Sequence, residues 1–260
     1  MIDELPIDLI KIILNYVSDE MKIEFVYCIP EIENIFTENK DQIELYDYYK
    51  LKDIKTYKNV YSIKKIHYIK NINEINNLSK EITHLKFHDS FNKKINQLPI
   101  SIIHLQFGCR FNKNIKNLPK KIKSLTMGYE FNQTVDNLPK TLTHLKFSYS
   151  FEQSLDNLPN SITHLTLGDY YNKNVDNLPN SITHLIFGHG FNQNINNLPN
   201  SITHLSFKRD FSKKINNVFI TKCYFNQVIE KIPTQLKYLK LDKRYSHDLS
   251  KFENLIIIKE

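Results

Sequence analysis

A repeat solenoid, mainly β and built from short parallel strands at about 20 residues per coil, is the fold the sequence predicts, with a small all-α module in front of it. Two observations carry this. Between Asn71 and Val218 one pattern, F-N-x-x-I-x-N-L-P-x-S-I-T-H-L-x-F-G-x-x, recurs without drift: the aromatic column is Phe91, Phe111, Phe131, Phe151, Tyr171, Phe191 and Phe211, and the Leu-Pro column runs from Leu98 and Pro99 to Leu198 and Pro199. Residues 1–45 lack the pattern and instead space their apolar residues as helices do. A fixed period of this length marks stacked units, none of which can bury its apolar side alone.

The N-terminal segment comes first in the chain. Leu5, Leu9, Ile12, Ile13 and Tyr16 fall at helical spacing, a second stretch sets Ile23, Val26 and Tyr27 on one side before Pro30 ends it, and Ile32 to Phe36 is a third helical candidate. A module of this size is too small to be comfortable without a neighbour. Residues 46–70 read as a linker and cap, in which Ile63, Ile66 and Tyr68 mimic a repeat strand with a one-residue shift.

Within each repeat, I-T-H-L-x-F is β-branched and aromatic, bounded by Pro before and Gly after, and reads as a short strand. In one copy Ile162, Leu165 and Leu167 are expected inward, joined by Tyr171, Val175 and Leu178. That is about six apolar side chains per coil, each contributing about 1.5 to 3 kcal/mol gross on burial, so a stack of about eight coils needs no metal or disulfide. So short a coil leaves no room for a strand, two corners and a full helix, and the side opposite the strands is expected to be extended or turned. Asn117, Asn137, Asn157, Asn177 and Asn197, just before the leucines, are candidates for an amide ladder that satisfies the corner backbone. Beyond the regular copies, a shortened unit near Val218 to Phe225, another from Phe225 to Leu241, and Leu255 to Ile258 complete a solenoid over 71–260, for seven regular strands and three or four degenerate ones.

Three resemblances follow from these residues. The strand register resembles the L-x-x-L-x-L strand of leucine-rich repeats. The joint recurrence of F-N, L-P and S-I-T-H-L, as in Phe191-Asn192, Leu198-Pro199 and Ser201 to Leu205, resembles the FNIP repeat family. That resemblance implies a non-catalytic binding scaffold of the kind found in amoebae and giant amoebal viruses. Leu5-Pro6, Asp8-Leu9, Ile12, Ile13, Tyr16-Val17 and the run Met21 to Cys28 resemble an F-box, although Pro30 stands where a basic-tryptophan ending is usual and the chain has no tryptophan. An F-box implies that Leu5, Pro6, Asp8, Leu9, Ile12 and Ile13 dock a Skp-type adaptor linked to a cullin complex.

Composition narrows the function classes. The net charge is +7 with a pI near 9.0, but the cationic residues are dispersed, and the joint use of Asn, Ile and Lys is what an AT-rich coding sequence produces. Nucleic acid is therefore an unlikely partner. Three scattered cysteines, Cys28, Cys109 and Cys223, speak against a disulfide frame and for a reducing compartment. No apolar run approaches membrane-spanning length, so the expectation is an intracellular, cytoplasmic protein, in the host-cell cytoplasm if the chain is viral.

The recurrent His84, His104, His144, His164, His184 and His204, interrupted only by Ser124, could line up about 4.8 Å apart. A ladder aims its rings in parallel and has no carboxylate or cysteine column beside it, so stacking is expected rather than metal binding. Ser161 and His164 recur in coil after coil with no unique acid, which is no nucleophilic pair. No cofactor, metal or catalytic residue is expected. Candidate target-binding positions are the freely varying outward column Lys86, Gln106, Thr126, Lys146, Thr166, Ile186 and Ser206, with Tyr129, Tyr149 and Arg209 after the strands. The leading expectation is a substrate receptor of an SCF-type ubiquitin ligase for an unknown target protein. The alternatives are an FNIP-repeat scaffold without a ubiquitin link, and a basic-surface nucleic-acid binder.

Overall fold

The computed structural model describes residues 43–45, 61–63, 65–69, 75, 78, 80, 82–208, 214–215, 218–219, 225–252 and 255–259. The F-box-like residues Leu5, Pro6, Asp8, Leu9, Ile12 and Ile13, and also Arg209, lie outside the described residues. Every described element is a strand: β1 (Ile43–Leu45), β2 (Tyr61–Ile63), β3 (Lys65–Ile69), β4 (His84–Phe87), β5 (His104–Gln106), β6 (Ser124–Thr126), β7 (His144–Lys146), β8 (His164–Thr166), β9 (His184–Phe187), β10 (His204–Phe207), β11 (Lys214–Ile215), β12 (Val218–Phe219), β13 (Tyr238–Leu241) and β14 (Ile256–Lys259). No helix among the described residues is long and apolar enough to cross a membrane.

Ten strands form one parallel sheet in the order β14-β13-β10-β9-β8-β7-β6-β5-β4-β3. From β4 to β10 the pairing steps by one repeat each time, as in His164↔His184 and Leu165↔Leu185. The expected one-residue shift at the start is present: Lys65 and Ile66 pair with His84 and Leu85, and the register slips again by Ile69↔Phe87. The closing strand β14 pairs with β13, Leu239 opposite Ile257.

One expectation fails. The segment after β10 is no shortened coil. β10 pairs directly with β13, His204 opposite Tyr238, so the chain leaves the stack and returns 34 residues on rather than 20. The excursion carries β11 and β12, paired antiparallel to each other in a sheet of their own. A β-prone run such as Val218 to Phe225 satisfies a strand pattern whether or not it joins the stack.

The core runs down the middle of the stack. Ile162, Leu165, Leu167, Tyr171, Val175 and Leu178 are all buried, and the equivalent positions of the neighbouring coils follow suit. Two aromatic columns interlock there. Phe91, Phe111, Phe131, Phe151 and Tyr171 stack coil on coil with centroids 6.1–6.2 Å apart. Phe107 and Phe147 close onto this column at 3.9 and 3.6 Å. Burial holds the Tyr171 phenol well above its ordinary range, since the charged form would be desolvated.

From β4 to β10, corners rather than helices connect the strands. Each repeat proline from Pro99 to Pro199 accepts at its carbonyl from the Ile or Leu three residues on, as in Ile162 to Pro159 at 3.2 Å, and the turn after the strand closes with Tyr171 donating to the Gly168 carbonyl at 3.2 Å. Gly168 is required by close approach, because a Cβ there would sit 1.8 Å from the Ser148 carbonyl oxygen. Serines of the S-I-T-H-L unit tie each coil to the one before: the hydroxyls of Ser161, Ser181 and Ser201 each donate to a carbonyl of the preceding coil at 2.7 Å.

The amide ladder exists, but in a different column from the one expected. The Asn of F-N forms it: the backbone N–H groups of Asn112, Asn132 and Glu152 donate to the side-chain oxygens of Asn92, Asn112 and Asn132, each at 3.0 Å. Gln133 and Gln153 side chains add second bonds to Asn112 and Asn132. The Asn before the leucine is exposed instead. Asn157 and Asn177 donate to the carboxylates of Asp136 and Asp156 in the preceding coils, each at 3.0 Å. Both columns recur along the stack, the F-N column with Glu152 in place of one Asn, and only the coil geometry brings one of them within reach of a backbone N–H.

Candidate functional site: the outward sheet face

Strand alternation buries Leu165 and Leu167 and turns His164 and Thr166 outward, and the parallel register repeats that choice in every coil. The face is thereby ruled into rows. One holds Lys86, Gln106, Thr126, Lys146, Thr166, Ile186 and Ser206, each opposite the next across the sheet, and Lys240 extends it through Ser206↔Lys240. Spacing alone missed Lys240, because the excursion before β13 puts it out of phase.

The imidazoles form a second row. His144, His164, His184 and His204 stack in sequence with ring centroids 4.2 Å apart and planes within 12° of parallel. His84 and His104 make a separate pair at 4.2 Å on the far side of Ser124. Tyr238 continues the column, 4.5 Å from His204, a member that the histidine pattern could not reveal. Threonine fixes the rings: the hydroxyls of Thr143, Thr163, Thr183 and Thr203 lie 2.8–2.9 Å from the Nδ1 atoms of the histidines that follow them. The expected stacking is thus present, and contacts to the neighbouring threonines accompany it. Burial lowers the pKa of His164, and the neighbouring His144, His184 and His204 lower it further. His184 is lowered in the same way by burial, then by His204 and His144. No group of three or more His, Cys, Asp or Glu among the described residues could hold a metal ion.

A rim follows the strand ends. Tyr129 and Tyr149 stack at 4.3 Å with planes 10° apart, and Tyr170 joins them, its ring 4.2 Å from that of Tyr149. The Tyr149 hydroxyl donates to the Tyr170 hydroxyl at 2.6 Å. Tyr170 stands one residue past the column position, which Asp169 occupies, so the repeat spacing does not point to it. Tyr129 and Tyr170 are 46% and 49% exposed, which puts the cluster on the surface rather than in the core. Asp169 sits in the next coil with His189 Nδ1 at 3.7 Å and Lys208 Nζ at 3.9 Å. Ser161, whose hydroxyl serves the Leu142 carbonyl, is a structural tie between coils.

The FNIP Repeat family model matches residues 71–110, 111–150 and 151–190, each match spanning two coils of the stack. The chain thus carries FNIP repeats over strands β4 to β9 of the ten-stranded sheet. No curated protein matches. Among solved structures, a chain described as "CroV588 a novel circular LRR protein structure" is 34% identical, with a TM-score of 0.49, over 77% of this chain and 36% of that one. This chain therefore spans little more than a third of that protein's length.

Proposed function

We propose that this repeat solenoid is a protein-interaction scaffold whose outward sheet face holds a target protein. The supporting observation is the continuous face itself: variable side chains stand in register on strands fixed from behind by a buried core, so side chains change without disturbing the frame. Lys86, Gln106, Thr126, Lys146, Thr166, Ile186 and Ser206, with Tyr129 and Tyr149 at the rim, are the contact positions in this reading.

The finer proposal is that the chain is the substrate receptor of an SCF-type ubiquitin ligase, with Leu5, Pro6, Asp8, Leu9, Ile12 and Ile13 on a Skp-type adaptor. It rests on the F-box-like motif in the sequence. Affinity purification with and without residues 1–45 tests it, adaptor and cullin being recovered only with the full chain. Leu9→Asp, or Ile12→Asp with Ile13→Asp, is expected to abolish adaptor capture and spare the repeats, since a buried charge costs several kcal/mol where it is placed and a solenoid couples mainly to nearest neighbours. Unchanged capture by such a variant, its circular dichroism intact, removes the F-box assignment and leaves the scaffold alone.

A further inference from the structure

The sheet face has a one-sided charge that its repeat pattern does not require. Three solvent-accessible rows cross strands β4 to β10 and β13: the residue before each strand, the histidine row and the variable row. Among those described positions stand Lys86, Lys123, Lys146, Lys237 and Lys240 together with the six histidines, and not one Asp or Glu. In the turns that follow the strands, the described carboxylates stand at the rim, at Asp89, Glu130, Asp169 and Asp242. A net positive chain would show this by chance on some surface. Here, however, the lysines share one face with a stack of imidazoles, the side chain whose ordinary protonation range lies closest to neutral pH.

Ring geometry narrows the class of anion. The faces of the imidazoles are closed against one another at 4.2 Å, and those of Tyr129 and Tyr149 at 4.3 Å, so the interior rings offer no open platform on which a nucleobase could stack. What they present is edges. Threonine engages Nδ1 of His144, His164, His184 and His204, which leaves Nε2 as the ring nitrogen that threonine does not hold. A row of ring edges flanked by lysine ammonium groups suits hydrogen-bond acceptors carrying negative charge.

We infer that this face takes an acidic segment of a partner protein, rich in Asp and Glu, laid along the histidine row between Lys123 and Lys237. The inference rests on the scaffold reading and gives its target a chemistry. It also makes binding sensitive to pH. The groups around the imidazoles are the threonine hydroxyls, Ser124, Tyr238 and the lysines of the adjoining rows, so no carboxylate of those rows competes for an imidazolium. An acidic segment supplies a counter-charge to the imidazoles from His144 to His204. Binding then tightens as the histidines take up protons, and by linkage the segment relieves the repulsion within the stack.

Fluorescence anisotropy on the full chain tests this with three labelled probes of equal length: an alternating Glu-Thr peptide, its Gln-Thr counterpart, and oligo-dT. The Glu-Thr peptide is expected to bind at least about tenfold more tightly than the Gln-Thr peptide at about pH 6, and to weaken toward about pH 7.5. Lys123→Glu with Lys146→Glu, both at exposed positions, is expected to weaken it at least about fivefold without moving the denaturation midpoint. His164→Gln with His184→Gln is expected to flatten the pH dependence. Equal binding of the two peptides, tighter binding of oligo-dT, or indifference to the charge reversal would overturn the inference. If charge reversal leaves peptide affinity unchanged while substitution of Thr166 and Ile186 abolishes capture of a target, the acidic-segment inference fails and the scaffold reading stands.

Discussion

Acid is expected to loosen the stack through its histidine column. Lowering the pH puts like charges on rings whose centroids are 4.2 Å apart, and the run from His144 to His204 contains three such contacts. Two unit charges at this separation repel by about 1 kcal/mol in a water-like medium and about 4 kcal/mol at an effective dielectric constant of about 20. The rings are partly exposed, so the water-like end applies, and a fully charged run costs about 3 kcal/mol. That is a sizeable share of the stability of a domain, commonly about 5–15 kcal/mol. His164 and His184 have folded-state pKa values below the ordinary 6.5, through burial first and neighbouring histidines second. The unfolded chain therefore binds more protons in this window. Stability is full above about pH 6.5 and is lost as pH falls below it. Carboxylates act elsewhere: hydrogen bonds from Ser154 and then Asn177 hold Asp156 below its ordinary 3.8, so its contribution persists until the pH approaches that value. Urea midpoints between about pH 7.5 and pH 5 measure the effect, and His164→Gln with His184→Gln is expected to flatten it by leaving His144 and His204 without a charged neighbour. A flat profile for the unmodified chain, or the same slope in the double variant, would refute the reasoning.

Other outcomes follow from single positions. Leu165→Ala, which empties a fully enclosed position between Leu145 and Leu185, is expected to cost about 2–5 kcal/mol in denaturant unfolding. Asn132→Ala removes the acceptor for the Glu152 backbone N–H and the Gln153 amide and is expected to cost about 1–3 kcal/mol, whereas Asn157→Ala, at an exposed position, stays within about 0.5 kcal/mol. Equal costs at the two asparagines would mean that the coil-to-coil ladder is not what stabilises the corner.

The apolar half of the fold was legible because burial is decided residue by residue. Ile162, Leu165, Leu167, Tyr171, Val175 and Leu178 are apolar at a fixed period, and a coil can close only by putting them inside. The same period located the strands, placed the histidines in one row and excluded a helix on the opposite side. It could not choose between two recurrent asparagine columns, because a hydrogen bond depends on where the next coil puts its N–H, and that distance is no property of either residue alone. Nor could it separate a short coil from an excursion: Val218 and Phe219 are as β-prone as any strand of the stack, yet they pair antiparallel outside it.

Local composition thus determined which side chains face inward and which outward, and with them the period and class of the fold. Tertiary structure alone decided what stands beside what across the coils: Tyr238 under His204, Lys240 beside Ser206, Tyr170 against Tyr149, and three rows of described positions without a carboxylate. Those neighbours are 21 to 34 residues apart, and the excursion after β10 shifts the later ones out of the repeat's phase. Direct strand pairing across that excursion is what restores their register.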